Sequence, residues 1–112
     1  MIIWQSDLSM MAAPAVPVLI GMLKDPGYHS PGTVMEALTK IGASTPETWD
    51  AIISVLGRTE DQDTRSSAAK ALFHVVASGP VPEHASEVFK ALLTDSNPEV
   101  NYWARWALKY LA

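Results

Sequence analysis

The chain has 112 residues, 48% hydrophobic and 18% charged, with a formal net charge of −4, which excludes intrinsic disorder and fits a single domain with a real core. Its eight Lys and Arg residues are scattered without a run, which argues against nucleic acid or an anionic membrane surface as partner. There is no cysteine, so disulfides and thiolate metal sites are excluded, and a cytoplasmic location is expected.

No stretch alternates long enough to read as a strand, whereas an apolar period of about 3.6 residues recurs throughout. The opening "IIWQSDLSMM" is read as a short helix closing one edge, anchored by Trp4 and Leu8. The uncharged run from Met10 to Leu23 is too short to span a bilayer and is broken by Pro14, Pro17 and Gly21. Within it "PAVPVLIGMLKD" predicts a first helix, its prolines confined to the first turn and Val16, Leu19, Ile20 and Leu23 facing inward. "GTVMEALTKIG" predicts a second, with Val34, Ala37, Leu38 and Ile41 inward and Gly42 at its end. In "STPETWDAIISVLG", Thr45 suits the N-cap, Pro46 the first helical position, and Trp49, Ile52, Ile53 and Leu56 the buried face.

"RTEDQD" then reads as a polar turn, followed by a fourth helix over "TRSSAAKALFHVVASG" with Ala68, Ala69, Leu72, Val75 and Val76 inward. A fifth is predicted in "PEHASEVFKALLTD", carrying Val88, Phe89, Leu92 and Leu93. "NPEVNYWARWALKYLA" completes the set, with Asn97 as N-cap and Val100, Ala104, Ala107, Leu108 and Leu111 supplying its core face.

These helices repeat in pairs. Leu23, Leu56 and Leu93 close the first helices at spacings of 33 and 37 residues, and the Ala-Leu steps at Ala37, Ala71 and Ala107 recur at 34 and 36. Two marks with nearly one period predict an all-α solenoid in which each hairpin buries its apolar face on the next. "AVPVLIGMLKDP" and "DSNPEVNYWARWALKYL" resemble the short HEAT-like repeats of the phycobilisome-lyase type. Ala15 to Leu23 carry the first-helix pattern; Pro98, Glu99, Val100, Ala104, Ala107 and Leu108 carry the second, as do Arg65, Ala68, Ala71 and Leu72 in the middle repeat. "GYHSPG" departs from the family's Asp-Pro turn, and Asn101 stands where the family often has Arg. The resemblance implies a right-handed α-α superhelix filling residues 1–112, with repeats at about 13–42, 45–79 and 82–111, and a scaffold or adaptor role.

Nothing in the chain assembles catalytic chemistry. His29, His74 and His84 lie in different elements; Glu83, His84 and Glu87 read as a solvated first turn rather than a metal site; Asp61 and Asp63 lack the rest of a calcium loop. "SAAK", Ser67 to Lys70, matches S-x-x-K without its companion motifs. No cofactor is expected, and the chain is read as no enzyme.

Trp103, Trp106 and Tyr110, with Tyr102 beside them, are spaced to share one side of the last helix. In the repeat alignment they match Thr33 and Ser67, Glu36 and Lys70, and Lys40 and His74, all polar. Three readings follow: the aromatics cap the terminal edge, they join a homodimer through the last helix, or they anchor a protein or peptide partner, with Glu36, Lys40, Lys70 and His74 as a polar rim on a concave face. The expected function is a non-catalytic interaction module, an adaptor, scaffold or inhibitor of immunity type. The alternatives are an accessory subunit resembling a bilin lyase and a structural piece of a longer array.

Overall fold

A computed structural model describes residues 15–25, 27 and 30–112. Among them are six helices and no strand: α1 (Ala15–Lys24), α2 (Pro31–Ile41), α3 (Pro46–Arg58), α4 (Gln62–Ser78), α5 (Ala85–Leu92) and α6 (Pro98–Leu111). The protein is therefore all-α. The helix expected around Trp4 and Leu8 lies outside the described residues. No described helix is long and apolar enough to cross a membrane.

The helix starts follow local chemistry. Thr45 accepts from the Thr48 backbone N–H at 3.2 Å, and Asn97 accepts from those of Glu99 and Val100 at 2.9 and 3.4 Å, each just ahead of a proline that has no N–H to satisfy. α2 ends at Gly42, whose φ of 80° is the left-handed conformation that glycine adopts without a Cβ penalty.

Two boundaries differ from expectation. α4 begins at Gln62, inside the stretch read as a polar turn, because the Asp61 carboxylate accepts from both the backbone N–H and the hydroxyl of Thr64, at 2.9 and 2.7 Å. Those two bonds hold the Asp61 carboxyl below its ordinary pKa. α5 begins only at Ala85, since His84 turns through the left-handed region with φ 64°. It also ends at Leu92, which leaves Leu93 37% exposed rather than inward.

α1 lies on α2, α3 on α4 and α5 on α6; α4 also packs on both α2 and α6, and α1 on α3. Leu23, Val34, Met35, Leu38, Ile52, Val55, Leu72, Val76 and Phe89 are essentially buried. Trp49 of α3 meets Phe89 of α5 edge to face at a centroid distance of 5.8 Å. Ala68, Ala69 and Ala71 of α4 and Ala104 and Ala107 of α6 are buried, and small residues let helix backbones approach closely.

The hairpin turns are tied by side chains that repeat their geometry. Arg65 donates through Nη1 to the carbonyls of Leu56 and Thr59, nine and six residues back, at 2.9 and 3.2 Å. Asn101 donates through Nδ2 to the carbonyls of Leu92 and Asp95, again nine and six residues back, at 3.2 and 2.6 Å. A shift of 36 residues carries one set of bonds onto the other, and Asp61 onto Asn97. These donors satisfy carbonyls left open where α3 and α5 end.

Polar links also cross between hairpins. Arg65 pairs with Asp95, Arg58 donates to the Leu23 carbonyl, and Asn97 Nδ2 donates to Gln62 Oε1 at 2.7 Å and Ser66 Oγ at 3.2 Å. Burial works against ionisation of Asp95, but the Asn97 backbone N–H and Arg65 outweigh it and hold the carboxyl below its ordinary pKa. Asn97 is only 6% exposed and serves two helix starts at once. Asn97→Ala is expected to cost about 2 kcal/mol in denaturant unfolding. The loss should exceed that of Asp61→Ala, whose carboxylate caps one helix from solvent.

Candidate functional site

α6 divides its side chains among three directions. Val100, Ala104 and Ala107 are buried against the core. Trp103 and Tyr110, seven residues apart, lean onto α4. Tyr102, Arg105, Trp106 and Lys109 line an open hollow of about 450 Å³ on the outer side.

The aromatic stripe is therefore split. Trp103 is half-buried, its ring 5.6 Å from Phe73 and 6.2 Å from His74, with Lys70 Nζ 6.0 Å from its centroid. Tyr110 meets Phe73 edge-on at 6.2 Å and donates its hydroxyl to the Ala77 carbonyl at 3.3 Å, yet remains 55% exposed. Tyr102 and Trp106 are 46% and 48% exposed and lie 6.4 Å apart, with Lys109 Nζ 5.4 Å over the Trp106 ring. Tyr102 also touches Trp103 at 5.2 Å, so Phe73, Trp103, Tyr102 and Trp106 form one string of rings.

The four polar residues picked from sequence converge. Glu36 and Lys40 of α2, with Lys70 and His74 of α4, line a groove of about 280 Å³ floored by Gly32, Thr39, Ser67 and Ala71. Glu36 and Lys40 form an exposed ion pair at 3.1 Å, and Lys70 and His74 bridge the groove to Trp103. Burial, and then the Lys70 ammonium, lower the pKa of His74. The groove holds no nucleophile paired with a base. What it offers is the His74 imidazole, the Lys70 ammonium and the Glu36–Lys40 ion pair, with the Trp103 ring beside them.

Three contributors were missed in the sequence. Phe73, four residues after Ala69 and three before Val76, continues the apolar period of α4 and was passed over; its place under Trp103 and Tyr110 depends on the packing of α6. Arg105 and Lys109 read as ordinary solvated charges until the outer hollow is seen. Elsewhere, His84 pairs with Glu87 at 3.3 Å, both exposed, and no group of three metal-ligating side chains occurs among the described residues. His29 lies outside the described residues.

Comparison of the chain with family models, with curated proteins and with solved structures finds no match.

Two outcomes are expected. Trp103→Ala removes packing on Phe73 and should lower stability by about 1–3 kcal/mol, while Trp106→Ala should stay within about 0.5 kcal/mol by denaturant unfolding. In an NMR titration His74 should protonate below the ordinary histidine value of about 6.5. Because its folded pKa is depressed, its contribution to stability is complete above that value and is lost as pH falls through the folded pKa. Lys70→Met should move the midpoint upward.

Proposed function

We propose that the chain is a non-catalytic protein-interaction module built as a HEAT-like α-solenoid of three helical hairpins, acting in the cytoplasm. Its partner is a protein or peptide that lies along the α2–α4–α6 row and on α6. Two features support the solenoid reading: the hairpin period, and the matching carbonyl contacts of Arg65 and Asn101.

One observation carries the functional reading. Tyr102, Trp106 and Tyr110 are 46–55% exposed on a single helix, continuous through Trp103 with the Lys70–His74 groove. Clustered exposed Trp and Tyr side chains are the chemistry of binding hot spots. A second copy meeting α6 is the competing reading, favoured by the same exposed rings.

Peptide display against the wild-type chain, counter-selected on Trp106→Ala/Tyr110→Ala, tests the module. Enrichment of sequences that need these rings is expected. A selection that never distinguishes the two proteins refutes it. Light scattering separates the competing reading, since a wild-type dimer that becomes a folded monomer on Trp106→Ala would mean self-association.

A further inference from the structure

The outer side of α6 can be placed by its register in the repeat. The α2 residues lining the groove toward α4 include Gly32, Glu36, Thr39 and Lys40. Thirty-four residues on stand Ser66, Lys70, Phe73 and His74, and all four face α6, through Asn97 or Trp103. Thirty-six further on stand Tyr102, Trp106 and Lys109, which line the outer hollow, and Tyr110, which turns back onto α4. Met35 and Ala69 are fully buried, whereas Arg105, next in that series, is exposed. The outer side of α6 is thus the surface on which each earlier second helix receives a neighbouring helix.

Its chemistry differs from the inner steps. Two large rings, Tyr102 and Trp106, replace polar side chains, and two cations, Arg105 and Lys109, flank them. Among the described residues neither cation has a carboxylate within ion-pair distance. Glu99 lies in the first turn of α6, where the helix dipole favours it. A chain of net charge −4 therefore presents a basic, aromatic edge.

We propose that this edge receives an acidic amphipathic helix of a partner protein, its apolar stripe on Tyr102 and Trp106 and its carboxylates on Arg105 and Lys109. The proposal rests on the interaction-module reading and names the occupant. Register argues for a helix, and charge argues for an acidic one. A second copy fits poorly. Antiparallel pairing that sets Tyr102 against Lys109 of the other copy brings the two Arg105 side chains together near the axis.

The test is fluorescence anisotropy with a labelled helical peptide bearing a Leu stripe flanked by Glu, against its counterpart with Lys in place of Glu. The Glu peptide should bind and weaken with salt, and the Lys peptide should not. Trp106→Ala should weaken binding about thirtyfold, and Arg105→Gln/Lys109→Gln about tenfold, with circular dichroism unchanged in both. Equal binding of both peptides, or no effect of removing the cations, overturns the acidic partner. Binding of the Lys peptide alone, lost in Trp106→Ala, overturns it too but leaves α6 as a binding face. Binding of neither, or a wild-type dimer that Trp106→Ala dissolves, overturns the proposal, and the display selection then decides the module reading separately.

Discussion

The fold hangs on where the Arg65 guanidinium goes. One arm reaches the carbonyls that α3 leaves open at its end, and the other reaches Asp95 in the next hairpin turn. A helix end without partners is costly to bury, and a hairpin turn is where two such ends meet. Arg65 satisfies the turn of its own hairpin and fixes the position of the following one. Asn101 takes over the first task at the next turn with a shorter side chain that cannot perform the second. Asn97 then completes the joint by capping α6 while holding Gln62 and Ser66 of α4.

With the turns fixed at one end of the hairpins, the second helices stand side by side and their outward residues form one face. The second helices carry Lys40, Arg65, Lys70, Arg105 and Lys109 against Glu36, Asp63 and Glu99, while Glu47, Asp50, Glu83 and Glu87 belong to the first helices and the turns that lead into them. The molecule is acidic as a whole and basic along this row. Exposed rings of α6 lie beside Arg105 and Lys109, the combination on which the proposed partner contact rests.

Much of the fold was legible because the chain marks its helix starts. Thr45-Pro46 and Asn97-Pro98 combine a capping oxygen with a residue that has no N–H, and both were read correctly. Asp61 was not, since "EDQD" contains no apolar residue to reveal that a helix has begun. Pro82 suggested an early start to α5, whereas the left-handed turn at His84 delays it. The aromatic stripe shows the limit of spacing as a guide. Trp103 and Trp106 are only about 60° apart around the helix, yet that angle lets one rest on Phe73 while the other faces away. Whether they part company depends on Phe73, which lies in another helix, so spacing along α6 alone cannot reveal it. Asn101 looked like a departure from the repeat, but its amide reaches the same two carbonyl positions as the guanidinium it replaces.

The central place of α4 has a further consequence for how the molecule opens. Among the described residues it packs on α2, α3 and α6, whereas α5 packs mainly on α6. Local unfolding starts where the fewest packing contacts must be broken. Amides of α4 would exchange with solvent only through the rarest opening, and those of α5 and α6 through a more frequent one. A helix docked on the outer side of α6, as proposed, would cover the third hairpin further. Its imprint on the protein would be slower exchange in α5 and α6, fading toward α1 with distance along the row.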